Sequence, residues 1–231
     1  MRGMAKDPLP SVSRRQQIAD RIREQIIDGE FVAGTQLKQD TLCERYDVSP
    51  APVREALRLL ENEGLVEHFP NRGVFVCDVT SADLIGVLLP VRLAIETYAL
   101  ETAVANDREG LADSLVPHVD RMRLRARAGE AKEMNEADVG FHRQIVLAAD
   151  SIHALQLWNT IQPRVRVHIH RFSRWHDPLV VVREHEEMIE AIRDTLPNAR
   201  QMLAELILER PVQLLEDGVP TNSRSDDDTV A

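Results

Sequence analysis

Residues 41–65 read TLCERYDVSPAPVREALRLLENEGL, and the fold turns on this stretch. Thr41 to Tyr46 makes a short helix, and Asp47-Val48-Ser49 makes a tight turn after it. Ser49 stands where a hydroxyl caps a helix start. Pro50 suits the first helical position, and Pro52 still lies in the first turn, where a missing N–H is tolerated. The helix then runs to about Asn62, with Gly64 as its stop. It has two faces. Val53, Ala56, Leu57 and Leu60 point together into a core, while Arg54 and Arg58 lie one turn apart on another side.

Upstream, Ile18, Ile22 and Ile26 recur every fourth residue, which predicts a helix over Arg14 to Asp28 ended by Gly29. Downstream, Leu65 to Phe69 and Val74 to Cys77 read as two strands joined by the turn Pro70-Asn71-Arg72-Gly73. A helix, a helix–turn–helix and a two-stranded wing compose a winged helix-turn-helix. A helix of this kind fits the major groove, and its first turn meets base edges. Arginine grips guanine or phosphate through two hydrogen bonds. Arg72 on the wing would lie on the backbone or enter the minor groove. Alone, Arg54 and Arg58 fit equally a solvated face paired with Glu55, Glu61 or Glu63. The tight turn and the wing beside them make them candidate DNA contacts.

The remainder has another character. From Leu84 the apolar positions Val87, Leu88, Val91, Ile95, Tyr98 and Ala99 keep helical spacing for about five turns. Further helices are expected at 111–128, 130–149, 151–173, 178–195 and 198–215, punctuated by Asp150, Asp177-Pro178 and Leu196-Pro197. No strand pattern follows residue 79, so this part reads as a bundle of roughly six helices. The expected organisation is mainly α: a winged helix-turn-helix over 1–78, a helical ligand-binding and dimerisation domain over 79–216, and a polar, disordered tail over 217–231.

Composition narrows the functional classes. The chain has 231 residues, 43% hydrophobic and 29% charged, the balance of a folded protein. Its net charge of −10 sits mostly in the helical part: residues 1–78 carry 11 Lys and Arg against 13 Asp and Glu. Acidity therefore does not exclude nucleic acid as partner of the first domain. Aromatic residues are 4%, too few for stacking on single strands. The two cysteines, Cys43 and Cys77, make no disulfide framework and read as small buried residues. The longest apolar run, Leu84 to Val91, is far short of the ~20 residues of a membrane span. The N-terminus lacks the apolar stretch of a signal peptide. A cytoplasmic protein without membrane attachment is expected.

Asp138 and His142 are four apart on an expected helix and so share a side, beside Phe141, Ile145 and Val146; His185 lies in line with Met188, Ile189 and Ile192 on a later helix. A carboxylate and two imidazoles converging inside a bundle bind a divalent ion, with zinc, nickel or manganese suited to mixed nitrogen and oxygen ligands. Spacing alone also fits a solvated Asp138 and a hydrogen-bonded core His185. Trp158 and Trp175 read as packing.

The stretch Val48-Ser49-Pro50-Ala51-Pro52-Val53-Arg54-Glu55-Ala56-Leu57, with Leu60 to Val66 and Pro70 to Val76, closely resembles the GntR family of bacterial transcription regulators. The second half resembles the all-helical FCD effector domain of that family's FadR branch. The resemblance implies DNA contacts at Ser49 and Arg54, with Arg72 and Gly73 at the wing tip; Ala51 and Arg58 complete the candidate DNA-contact set. The family's usual arginine after the capping residue is replaced by Pro50, so its usual operator sequence is not carried over. The resemblance also implies metal ligation by Asp138, His142 and His185. A fourth ligand would fall at Glu205 or Leu206, because the last helix contains no histidine. Arg92 and Glu96 match a family Arg-x-x-x-Glu pattern, which is either an intrahelical ion pair or an Arg92 grip on an organic acid. His168 and Arg171 are further candidate effector contacts. The expected partners are a duplex operator, a small organic acid and a second copy of the chain, with no catalysis. The rival reading is a helical metalloenzyme built on Asp138, His142 and His185; a pure interaction scaffold is a third.

Overall fold

The computed structural model describes residues 13–172 and 177–213, the side chains of residues 171 and 172 excepted. The proposed tail over 217–231, Trp175 and the Arg171 side chain lie outside the described residues.

Three helices open the chain: α1 (Arg14–Ile27), α2 (Gln39–Tyr46) and α3 (Pro50–Asn62). The isoleucine stripe of α1 and all four apolar positions of α3 are buried against each other, with Ile22, Val53, Ala56 and Leu60 fully shielded. Each large side chain buried this way contributes about 1.5–3 kcal/mol. Asp47 ends α2 in the left-handed region at φ 50°, which turns the chain sharply into α3. The strands β1 (Val66–Phe69) and β2 (Gly73–Val76) pair antiparallel, from Val66 opposite Val76 to Phe69 opposite Gly73. Gln36 adds a single bridge to Phe75, a third rung the sequence pattern does not show.

Gly73 has φ +101°, and a Cβ there would sit 3.0 Å from the Gln36 amide nitrogen, which donates to the Arg72 carbonyl at 2.6 Å. The tip of the wing is thus tied to the loop before α2.

The helical part follows a short helix, α4 (Ser81–Asp83), and one wide turn over Leu84–Leu88. The expected helix from Leu84 therefore begins with a π turn rather than a regular one. It leads into α5 (Leu89–Ala128), then α6 (Ala131–Ala148), α7 (Ile152–Phe172), α8 (Pro178–Asp194) and α9 (Leu196–Ala204), with a second wide turn over Glu205–Glu209. The helices expected at 84 onward and at 111–128 run together as α5, broken at Asp107, whose φ −158° and ψ 91° are not helical. Asp107 acts as an internal cap: its carboxylate accepts the Gly110 N–H at 2.9 Å. A Cβ on Gly110 would lie 2.1 Å from that carboxylate. Gly110→Ala is expected to push Asp107 off its cap and cost about 0.5–2 kcal/mol, read as a lower denaturant midpoint.

The apolar interior forms two clusters. One runs from Ile18 to Val76, the other from Val79 to Ile207. Between them α1 meets the bundle through charge: Arg166 on α7 grips the Glu24 carboxylate with both guanidinium nitrogens, at 2.9 and 3.1 Å, and Lys132 on α6 reaches Asp28 at 2.5 Å.

Candidate nucleic-acid interface and metal centre

The face of α3 opposite its buried stripe is open. Ser49, Pro50, Ala51, Arg54 and Arg58 are exposed. Arg58 bonds Glu55 at 2.9 Å, one turn back. Arg54 has no ion-pair or hydrogen-bond partner among the described residues. Ser49 does occupy the cap position, but its hydroxyl makes no capping hydrogen bond. Pro52 stands at the third helical position, so one of the two N–H groups a capping hydroxyl can receive does not exist, and Ala51 holds the other. On the wing, the Arg72 guanidinium lies over the rings of Phe69 and Phe75, at 5.5 and 5.7 Å from their centroids, and is held outward at the tip.

The bundle interior holds a polar cluster. Asp138 and His142 come from α6 and His185 from α8, with one ligand atom of each within 4.8 Å of the others. Each imidazole has its Nδ1 already occupied. His142 Nδ1 faces Glu96 at 2.6 Å, and His185 Nδ1 faces the Val181 carbonyl at 2.8 Å. Both acceptors hold the ring proton on Nδ1, which leaves each Nε2 as a lone pair. These lone pairs converge on Asp138 Oδ1, His185 at 2.9 Å and His142 at 3.9 Å. The buried His185 Nε2 makes no hydrogen bond there. Three electron-rich atoms with no donor among them call for a cation in their midst. The donor set therefore fits a divalent ion. Phe141 meets both imidazole rings edge-on, at 5.6 and 4.7 Å, and fixes their planes.

Glu96 is the hub behind this cluster. It is fully buried and accepts from Arg92 Nε at 2.7 Å and Trp158 Nε1 at 2.9 Å, besides facing His142. Burial alone would raise its pKa, but the Arg92 charge and the hydrogen bonds given by Arg92 and by His142 Nδ1 more than offset that and hold it down at about 2. Burial also drives the His142 pKa down, against the pull of Glu96, and so favours the neutral ligand form.

Residues 14–76 match the family described as bacterial regulatory proteins, gntR family, and residues 87–209 match the FCD domain. The chain belongs to the GntR family. The FCD match gives this GntR regulator its helical effector domain. It is 28% identical over 191 residues to the gluconate operon transcriptional repressor of Bacillus subtilis (strain 168), covering 80% of this chain and 78% of the repressor. It is 27% identical over 188 residues to the transcriptional repressor RspR of Escherichia coli (strain K12), covering 80% and 81%. A crystal structure of a GntR transcriptional regulator from Rhodococcus sp. RHA1 superposes with a TM-score of 0.72 at 26% identity, over 88% of this chain and 98% of that one. The expected fold class, mainly α with a two-stranded wing, is the observed one. The protein is a DNA-binding transcriptional regulator. No helix among the described residues is long and apolar enough to cross a membrane.

Some candidates gather and others do not. Asp138, His142 and His185 come together. Glu205 stays apart: it accepts an exposed hydrogen bond from Gln201 at 3.0 Å and is no member of the cluster. It lies in the wide turn that follows α9, where the backbone is one residue per turn out of helical register. Arg92 is buried with its Nε on Glu96, the ion-pair alternative of the sequence, while its Nη groups have no partner among the described residues. His168 is buried with a ring nitrogen 2.5 Å from the Val79 carbonyl, which places it against the connection between the two clusters. Sequence reasoning missed the role of Trp158, taken there as packing. No local signal carries it, because its partner lies 62 residues away. The Glu24–Arg166 link is equally silent in the sequence.

Proposed function

We propose that this regulator acts in the cytoplasm as a symmetric dimer on a palindromic operator, and that a small carboxylate bound in the FCD domain alters its grip on DNA. Ser49, Ala51, Arg54, Arg58, Arg72 and Gly73 form the DNA-facing surface. A divalent ion, zinc, nickel or manganese, would be held by Asp138, His142 and His185, and would supply open coordination positions to an anion. The free Nη groups of Arg92 support a second grip on the same carboxylate. His168 and Arg171 are the remaining candidate contacts.

The observation that carries the coupling is α7. Near its start Trp158 bonds Glu96 behind the cluster; further along, Arg166 holds Glu24 of α1, and His168 meets the Val79 carbonyl. Val167 packs against the core of the DNA-binding head. A ligand that binds better to one placement of α7 shifts the head by that difference in affinity. Apolar side chains left open at Val87 in the wide turn, at Val91 and Tyr98 on α5, and at Ile152 and Leu157 on α7 support a second copy as their cover.

The test is a duplex titration at several salt concentrations. A regulator binds a selected duplex far more tightly than random duplex, and affinity falls steeply with salt. Equal, salt-insensitive binding to both duplexes would refute the reading. Native mass spectrometry of the intact chain reports subunit count and bound metal together. His142→Ala is expected to lower metal content sharply after incubation with zinc, nickel or manganese. A wild-type chain with no stoichiometric metal after each incubation removes the ion from the mechanism.

A further inference from the structure

We propose that the first turn of α3 recognises the methyl group of a thymine, with the Ala51 side chain as the contact and Pro50 beside it. This rests on the groove-reading role given above. The buried stripe of α3 is Val53, Ala56, Leu57 and Leu60. Directly opposite stand Ala51, Glu55 and Arg58, at i, i+4 and i+7, so Ala51 is the first-turn residue at the centre of the outward face. Ala51 and Pro50 are both exposed.

The backbone beneath them is unusual for a helix start. The first turn normally turns several unpaired N–H groups outward, which suits phosphate. Here Pro50 and Pro52 have no N–H, and Ala51 holds the one donor left among the first three positions. The turn therefore presents hydrocarbon instead of an anion cradle. The polar side chains stand off to the sides or further along. Arg54 is free on the flank, and Arg58 is tied to Glu55 at 2.9 Å.

Among base edges in the major groove, thymine alone offers an apolar group, its C5 methyl. Guanine, adenine and cytosine would leave a donor or acceptor facing alanine and proline without a partner, having lost its water. The geometry thus assigns an A·T pair to the position under Ala51 and confines hydrogen-bond readout on this helix start to Arg54 and Ser49.

The full chain is used to enrich duplexes from a randomised pool, and each thymine of the enriched site is then replaced by uracil, which removes the methyl alone. One position in each half-site is expected to weaken roughly fourfold, the value of one buried methyl group. That thymine-to-uracil difference should vanish in Ala51→Gly, and in Ala51→Ser as a second variant that alters the helix start less. If uracil is silent at every position, or its effect persists undiminished in both variants, the inference is overturned while the groove-reading role stands. Failure to enrich any duplex overturns the groove-reading role and this inference with it.

Discussion

Arg54→Ala is expected to weaken operator binding roughly 5- to 150-fold, the value of about 1–3 kcal/mol for a base-reading arginine. The side chain is exposed and bonds nothing within the described residues, so its removal leaves the fold alone. The loss should then appear entirely in the affinity for DNA, with an unchanged denaturation midpoint. Arg58→Ala is expected to lose less, because Glu55 already holds that guanidinium on the protein. Arg224→Ala, in the C-terminal segment, serves as the control for net charge. Equal losses for Arg54→Ala and Arg224→Ala in a binding titration would mean that α3 does not enter the groove.

The second large effect is on stability. Glu96→Ala removes the acceptor of Arg92, of Trp158 and of His142 at once. Arg92 is 6% exposed, so its charge would be left buried without its hydrogen-bonded carboxylate. Breaking a buried pair from one side costs about 3–5 kcal/mol, a large part of the 5–15 kcal/mol that holds a typical protein folded. Glu96→Gln keeps the volume and one acceptor oxygen, and should fall between the wild type and the alanine variant. Arg193 makes a contrast. It contacts Glu109, Asp113 and Glu190, but all of them face solvent, and Arg193→Ala should leave the midpoint where it is. Denaturant titration of the variants checks the order; a Glu96→Ala midpoint equal to that of Arg193→Ala would mean Glu96 is not the buried hub.

The contrast between these two arginines explains how far local sequence carries. From spacing, Arg92 and Glu96 are an ordinary pair one turn apart, worth ~0.3–0.5 kcal/mol on an exposed helix. The same two residues become a buried hub because Trp158 and His142 arrive from other helices. Likewise, four-residue spacing puts Asp138 and His142 on one side of α6, but the placement of α8 brings His185 to them. The fourth ligand shows the opposite outcome. The family pattern put it at Glu205 or Leu206, and Glu205 is instead bonded to Gln201 one turn back, outside the cluster.

By itself the sequence determined the winged head, with its two-faced α3, its tight turn at Asp47 and its paired strands, because periodicity, turn chemistry and proline placement all act within a few residues. It also determined that the second half is built of helices, though the two expected from Leu84 and over 111–128 run together as α5. Only the tertiary structure decided that Glu96 joins Arg92, Trp158 and His142, that both Nε2 atoms meet Asp138, and that α7 clasps α1 through Arg166. Such contacts join residues far apart in the chain, and their existence depends on how helices cross, which a pattern of apolar spacing does not encode.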